Sequence, residues 1–436
     1  MYISFTRVKI TPPVGIRLGG FAHRMASPSV QLHDDLYARL LKLSDPRGNA
    51  VILVQLDLLG VYYSDVEKIR RIISGSTGVE EDHVLVAATH THSSPETIIP
   101  MWPHTFPYSD EEKRLYDKWF SSLLASLKSG SEAINNVEFK ASVGFNVVKL
   151  NDNVCVNRLT GSFEELELSI LSLTIDGKLR VVVVDYPCHP ACNIDLGISA
   201  DYPGNIYDRL VKYGIEPVFI TGFAGDVTPR IRGSECVERL SEFLSSNILN
   251  LLNHVSYIEP YLSLNKVNIT LPARTVPNVN AARERFLNLL NEAKSRGLLE
   301  RRPMYELWSG LNRLWLGGNV AGEQLLMDLL YADEEYSVAE LNEESVRLEV
   351  GMFSIGGLNM LMVPGEPFLE TLSKVRSSLR KASKLIGVGY ANGYVGYIPT
   401  REAFKVGAYE ARLARWSRVT EDAEELLISQ IVSAFS

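Results

Sequence analysis

Two histidines one residue apart are the first chemistry that the sequence offers. They stand in Thr89-His90-Thr91-His92-Ser93, and the whole chain of 436 residues has only 8 histidines. The apolar run Val84–Ala88 precedes them and reads as a buried strand. On extended chain, residues i and i+2 point to one face, so two imidazoles would converge where a strand ends. Neutral imidazole suits zinc, and α/β folds place their sites beyond strand ends. Two surface histidines at the start of a loop are the plainer alternative.

Four more segments carry candidate groups. His189 stands in Tyr186-Pro187-Cys188-His189-Pro190-Ala191-Cys192, again after an apolar run. Cys188, His189 and Cys192 could form a thiolate-rich zinc site. However, a structural site needs four ligands, and Cys155 and Cys236 stand alone in sequence. The reading adopted is His189 as a ligand and the cysteines as small packed residues. In Gly222-Phe223-Ala224-Gly225-Asp226-Val227-Thr228, the glycines permit close backbone approach. Asp226 and Thr228 would then face a site, or the segment is a plain loop. Glu366, in Pro364-Gly365-Glu366-Pro367, reads as a carboxylate at a helix start with Pro367 in the first turn. A helix dipole alone would favour it there. Tyr390, Tyr394 and Tyr397 alternate with Gly389, Gly393 and Gly396, which suits either a pocket-lining loop or an edge strand with packed aromatics. His33-Asp34-Asp35 reads mainly as a turn into a strand.

The elements needed to position these groups are legible in part. Ala50–Asp57 reads as a buried strand, followed by a helix to about Ser74 with a capping box of Ser64 and Glu67. Leu166–Ile175 and Leu179–Asp185 read as strands joined by the hairpin signal Asp176-Gly177. Pro217–Thr221 reads as a strand and Cys236–Leu252 as a helix. Residues 280–342 are rich in Leu, Arg and Glu and read as a helical insertion, broken at Gly317-Gly318-Asn319, that covers a site or forms an interface. Strands return at 346–352 and 358–363, and a last helix starts near Thr420, its expected N-cap. Alternating strands and helices predict an α/β fold. The hairpin makes its sheet mixed, and helices flank it.

Composition excludes several classes. The formal net charge is −8, which does not favour binding through nucleic-acid phosphates. The small basic clusters Lys68/Arg70/Arg71 and Arg301/Arg302 read as solvated helix faces. No apolar run approaches the ~18 residues that span a bilayer, and the first residues do not read as a signal peptide. Four cysteines do not make a disulfide scaffold. A cytoplasmic protein is the expectation, and a homo-oligomer stays open.

Ten short motifs, in order along nearly the whole chain, resemble the catalytic domain of the neutral/alkaline (non-lysosomal) ceramidase family. They are Ile10-Thr11-Pro12-Pro13 with Gly15 and Gly19-Gly20, His33-Asp34 through Ala38-Arg39, Thr89 to Ser93, Asn157-Arg158 and Cys188-His189-Pro190. Ile198 to Gly204, Gly225 to Pro229, Pro364-Gly365-Glu366, Asn392-Gly-Tyr394-Val-Gly-Tyr397 and Tyr409-Glu410 complete the series.

The resemblance implies one zinc ion, held by His90, His189, Glu366 and Tyr397. It implies His92 beside the metal and Arg158 near the substrate. Thr228 takes the place of a site serine and keeps the hydroxyl. Such a set of imidazoles, carboxylate and phenol suits Zn²⁺. The reaction expected is hydrolysis of an N-acyl amide by metal-activated water. His92 would be the acid/base, and Tyr397, Thr228 and Arg158 would stabilise the oxyanion. Full-length ceramidases carry a further C-terminal domain and bind a two-chain lipid. This chain ends soon after Tyr397, so one catalytic domain over 1–436 with the insertion at 280–342, and a substrate smaller than ceramide, are expected. A zinc esterase or lactonase on the same scaffold, and a non-catalytic ligand-binding homologue, are the rival readings.

Overall fold

The computed structural model describes residues 1–312, 323–379 and 384–436. Its centre is a nine-stranded mixed sheet. From edge to edge the strands are Glu216–Thr221, Lys178–Tyr186, Leu166–Ile175, Phe139–Leu150, Tyr2–Lys9, Tyr37–Ser44, Ala50–Leu56 and Val84–Ala88, with Ser256–Ile258 also on Phe139–Leu150. The two outermost pairs are parallel. The pairs between them are antiparallel, and the Asp176-Gly177 hairpin closes one of them as the sequence predicts. Both turn residues have positive φ, 49° and 72°, which a two-residue hairpin turn requires.

Alternate residues of one strand enter different cores, because side chains on a strand alternate between faces. Ile52, Val54 and Leu56 meet the helices Tyr63–Thr77, Asp110–Asn135, Asp201–Val211 and Ser234–Leu252 on one side. Val51 and Leu53 meet a second, four-stranded sheet on the other. That sheet comprises Leu262–Pro272, Ser345–Ile355, Leu358–Met362 and Leu385–Val388. Its outer face is covered by Leu369–Ser378 and Ala423–Phe435. The layers are therefore helix, sheet, sheet, helix. With both faces buried, a strand reads as a continuous apolar run, which is why Ala50–Leu56 and Val84–Ala88 were recognisable.

The two edges of the large sheet approach each other at the strand ends. The Thr221 hydroxyl donates to the Thr89 carbonyl at 2.6 Å. Residues 389–392 bridge the gap: Gly389 N donates to Thr221 O, and Ala88 N donates to Tyr390 O. The segments after Ala88, after Tyr186 and after Val388 thus start from neighbouring points.

Residues 280–342 are helical where described: Val279–Ser295, Tyr305–Leu311 and Gln324–Leu341. The expected break at Gly317-Gly318-Asn319 lies outside the described residues. Phe286, Leu290, Leu326 and Leu330 share a core with Trp102, Tyr397 and Trp416, so this helical part packs beside the site. The buried Glu334 anchors it by an ion pair with Arg415 at 2.7 Å.

Three local expectations are corrected. The capping box does not form at Ser64 and Glu67, since that helix starts at Tyr63 without a side-chain cap. A box does form at Ser109 and Glu112, heading the 26-residue helix Asp110–Asn135. Thr420 is not the last helix's N-cap, which is Asp422. Glu366 does not begin a helix. Glu366 and Pro367 pair in parallel with Tyr397 and Ile398, and the helix starts at Leu369.

Candidate metal centre

His90, His92 and His189 are all buried, and one ring nitrogen of each lies within 4.8 Å of the others. The convergence of His90 and His92 does not come from extended chain. The strand ends at Ala88, and His90 takes a left-handed backbone with φ 66°. A non-glycine residue there is strained, and the strain redirects the imidazole inward. Gly20 makes room for the second ring: at its φ of 83°, an added Cβ would lie 2.5 Å from His92 Nδ1.

The hydrogen bonds define the tautomers. Nδ1 of His90 is 2.5 Å from the Leu59 carbonyl, and Nδ1 of His189 is 2.8 Å from the Val227 carbonyl. A carbonyl only accepts, so both Nδ1 atoms carry the proton and both Nε2 atoms hold a lone pair. These lone pairs face Glu366 Oε2, at 3.5 Å from His90 and 3.0 Å from His189. His90 Nε2 is also 3.2 Å from His92 Nε2. Two nitrogens on one tetrahedral zinc would be about 3.3 Å apart, given Zn–N bonds of ~2.0–2.1 Å. Burial pushes the His90 pKa down to about 3 and lowers His92 and His189 as well. Neutral imidazoles and a carboxylate directed at one point form a set that could hold a metal ion. The donor set fits a zinc ion.

Glu366 is oriented by two phenols: Tyr394 donates to Oε1 and Tyr390 to Oε2. Its backbone pairing places it directly opposite Tyr397. The Tyr397 hydroxyl meets the Arg158 guanidinium at 3.0 Å, and the same nitrogen of Arg158 binds Glu410 at 3.1 Å. Burial opposes the charge on Arg158, but the carboxylate of Glu410 and the hydrogen bond to Tyr397 outweigh it and raise its pKa. Burial holds the Tyr397 phenol protonated well above its ordinary value.

Of the residues singled out from sequence, His90, His92, His189, Glu366, Tyr397 and Arg158 are brought together. His90, His92, Glu366 and Tyr397 line a cavity of about 30 Å³, to which Leu59, Ile98, Ile99, Met101 and Trp416 give an apolar wall. An adjoining cavity of about 40 Å³ is lined by Arg158, Arg232, Trp308 and Asn312, so the helical part reaches the site. Thr228 lies behind: its hydroxyl accepts from Arg232 at 3.1 Å. Asp226 has a structural task. It accepts from Leu369 N at the head of the helix and from Asn157, and burial raises its pKa to about 6. His33 stands apart, paired with Asp195 at 2.9 Å.

The cysteine reading is overturned. All four pair, Cys155 with Cys188 and Cys192 with Cys236, which also removes the thiolate-rich zinc site. Disulfides persist in oxidising compartments and inside some heat-adapted cells. The cysteine count therefore stops supporting a reducing compartment. No helix among the described residues is long and apolar enough to cross a membrane.

Comparison with known proteins gives the architecture a name. The crystal structure of neutral ceramidase from Pseudomonas aeruginosa matches 99% of this chain and 73% of its own, with a TM-score of 0.73 at 16% identity. The chain has the neutral ceramidase fold. A structure described as ceramidase complexed with C2 matches equally well, with a TM-score of 0.72, 15% identity, and coverage of 99% of this chain and 74% of its own. Neutral ceramidase from Pseudomonas aeruginosa is also similar in sequence, 30% identical over 93 residues; that stretch is 20% of this chain and 14% of the relative's length. No protein-family model matches.

Within the neutral ceramidase fold, sequence reasoning missed the work of three residues. Tyr390 and Tyr394 were visible only as part of a Gly/Tyr-rich segment, and their hold on Glu366 was not foreseen. Glu410 stands out in the sequence only as the neighbour of Tyr409. Its ion pair spans |i−j| = 252, and no local spacing encodes that.

Proposed function

We propose that this chain is a zinc-dependent amidohydrolase working as one catalytic unit. It would cleave an N-acyl bond in a substrate smaller than ceramide. The observation that supports this most is the lone-pair-to-lone-pair contact of His90 and His189 with Glu366. His90, His189, Glu366 and Tyr397 would hold the ion, with His92 Nε2 beside them. Bound zinc would supply a water that ionises near neutral pH and a Lewis acid for the scissile carbonyl.

The chain's own groups would do the rest. Tyr397 and Arg158 offer an O–H and N–H donors toward the cavity, where they would hold charge developing on the carbonyl oxygen. Thr228 would act on this only through Arg232. His92 would pass a proton to the leaving nitrogen, for which a neutral imidazole must first collect one. The apolar wall from Leu59 to Trp416 would receive the acyl group and keep bulk water out.

The test is metal analysis followed by a substrate panel. Purified protein should carry about one zinc per chain, as a single structural or catalytic site holds one ion. The zinc-loaded protein should hydrolyse short N-acyl compounds faster than matched O-acyl esters and lactones. Preference for the esters would move the reading to an esterase. Zinc binding without any hydrolysis would leave a ligand-binding homologue.

A further inference from the structure

Both disulfides end in the one loop that carries His189. Cys188 precedes this histidine and Cys192 follows it. Cys188 is tied to Cys155, which opens the strand Cys155–Asn157 leading into Arg158. Cys192 is tied to Cys236, in the first turn of Ser234–Leu252 and just after Arg232. Each bond therefore joins the His189 loop to a segment that delivers a cavity-lining arginine.

The loop is buried and irregular, and hydrogen bonds from outside hold it: Tyr202 donates to Cys188 O, Arg232 donates to Ala191 O, and Asp201 accepts from Cys192 N and Asn193 N. Residues 187–193 form no helix or strand. His189 is attached through Val227, by its backbone N–H at 3.2 Å and its Nδ1 at 2.8 Å. Pro190 accepts from His92 N, and Gly233 N donates to Cys192 O. An irregular segment has no ladder of its own, so its side chains keep their angles only through such bonds and through cross-links. A metal ligand on such a segment needs further restraint to keep its angle. All four cysteines are fully buried, which shields the bonds from reductants in solution.

We propose that the two disulfides are positioning devices for the metal centre: they hold His189 against Arg158 and Arg232, so that zinc retention depends on their being oxidised. This rests on the zinc reading above. The chemistry is balanced with a phosphine as reductant. Phosphorus attacks one sulfur, the S–S bond breaks, and water supplies the oxygen of the phosphine oxide and the protons of two thiols. The sulfurs take two electrons and the phosphine loses two. His189 stays in place covalently but loses its two flanking anchors.

The experiment compares zinc affinity by chelator competition in four proteins. They are the parent, Cys155→Ala/Cys188→Ala, Cys192→Ala/Cys236→Ala, and Leu244→Ala as a control that weakens the same buried core with both bonds intact. Loss of outer supports of a metal ligand costs ~10–100-fold in affinity, and each cysteine pair should show a loss in that range. Leu244→Ala should lower thermal stability but bind zinc like the parent. Unchanged affinity in both cysteine variants would overturn the proposal. So would an equal loss in Leu244→Ala, because general destabilisation would then be the cause. Should a cysteine variant fail to fold, zinc-loaded parent is reduced by the phosphine under native conditions, and zinc release is followed with a chromogenic chelator. Release in step with thiol appearance supports the proposal; retained zinc with both bonds open refutes it. Oxidised parent that binds no zinc at all would instead refute the metal reading on which it rests.

Discussion

The phenol ring of Tyr390 lies on the imidazole of His90, with centroids 3.9 Å apart and planes 18° from parallel. Both residues have left-handed backbones, at φ 54° and 66°. Such strain costs about 1–3 kcal/mol per residue and persists only where surroundings over-determine it. Here Ala88 N donates to Tyr390 O, Asn392 N to Val86 O, and Val86 N to Asn392 Oδ1. His90 cannot turn without displacing a ring that is itself locked. Tyr390→Ala should therefore cost about 3–5 kcal/mol of stability, as large-to-small core changes do. It should also weaken zinc binding by ~10–100-fold. Tyr390→Phe keeps the stacked ring, so stability should stay close to the parent's and zinc affinity should fall less than in the Ala variant, by what the hydroxyl on Glu366 Oε2 contributes. Urea midpoints and chelator competition measure the two effects. A Phe variant as weak as the Ala variant would shift the role from the ring to the hydroxyl on Glu366.

Gly20 is the floor under His92. An alanine Cβ there would lie 2.5 Å from Nδ1 and 2.6 Å from Cγ of the ring, on a backbone at φ 83°. The ring must move, and Phe21 packs against it with centroids 4.5 Å apart. A misplacement of about 1 Å can cost ~100-fold in rate. Gly20→Ala should lose activity of that order, with far-UV circular dichroism unchanged. Parent-like kcat in a folded Gly20→Ala would remove His92 from the chemistry.

The sequence showed the site's members more readily than their arrangement. His90, His189 and Glu366 each follow an apolar run, and such runs are recognisable because both faces of these sheets are buried. The residue types then suggest a metal. What brings them together was not local. The edges of the large sheet meet only in three dimensions, through Thr221 and Thr89. The Glu366–Tyr397 pairing spans a two-residue ladder too short for any periodicity. The left-handed turn at His90 breaks the alternation rule that first drew attention to the pair. The disulfides were missed because all four partners are far apart in the chain, at separations of 33 and 44. The Asp110–Asn135 helix escaped too, although Ser109 and Glu112 at its head are a capping signal of the kind sought at Ser64.

Tyr397 sits between two possible tasks. Its hydroxyl is 3.0 Å from Arg158, and its backbone is paired with Glu366. If it stabilises the oxyanion, Tyr397→Phe should lower kcat by ~10²–10³-fold, the usual cost of one such donor. Zinc affinity should fall as well, because the phenol is also the proposed fourth ligand. Stopped-flow hydrolysis and chelator competition separate the two. A fall in kcat with zinc affinity untouched would leave Tyr397 an oxyanion donor only.

His23 lines a cavity with His92 and Arg158 but is not one of the proposed ligands, and it gives a pH test of its own. It is 1% exposed, Nε2 is 2.9 Å from the Ile194 carbonyl, and Nδ1 has no partner. Burial, with Arg24 adding to it, pushes its pKa from 6.5 down to about 3. Between those values the unfolded chain binds a proton that the folded chain refuses. Stability therefore falls as pH drops through this window, is fully present above it, and loses nothing more below it. Asp34 and Asp226 act oppositely. Burial raises each to about 6, so the folded chain keeps a proton that the unfolded chain has shed, and stability rises as pH falls from about 6 to about 4. The raw profile mixes these terms, and a variant isolates one. His23→Gln keeps an N–H for Ile194 but cannot titrate. The stability of the parent relative to this variant should drop by about 2 kcal/mol between about pH 7.5 and about pH 5, read from urea midpoints at each pH. A difference that stays constant over that range would mean that His23 takes up its proton without unfolding.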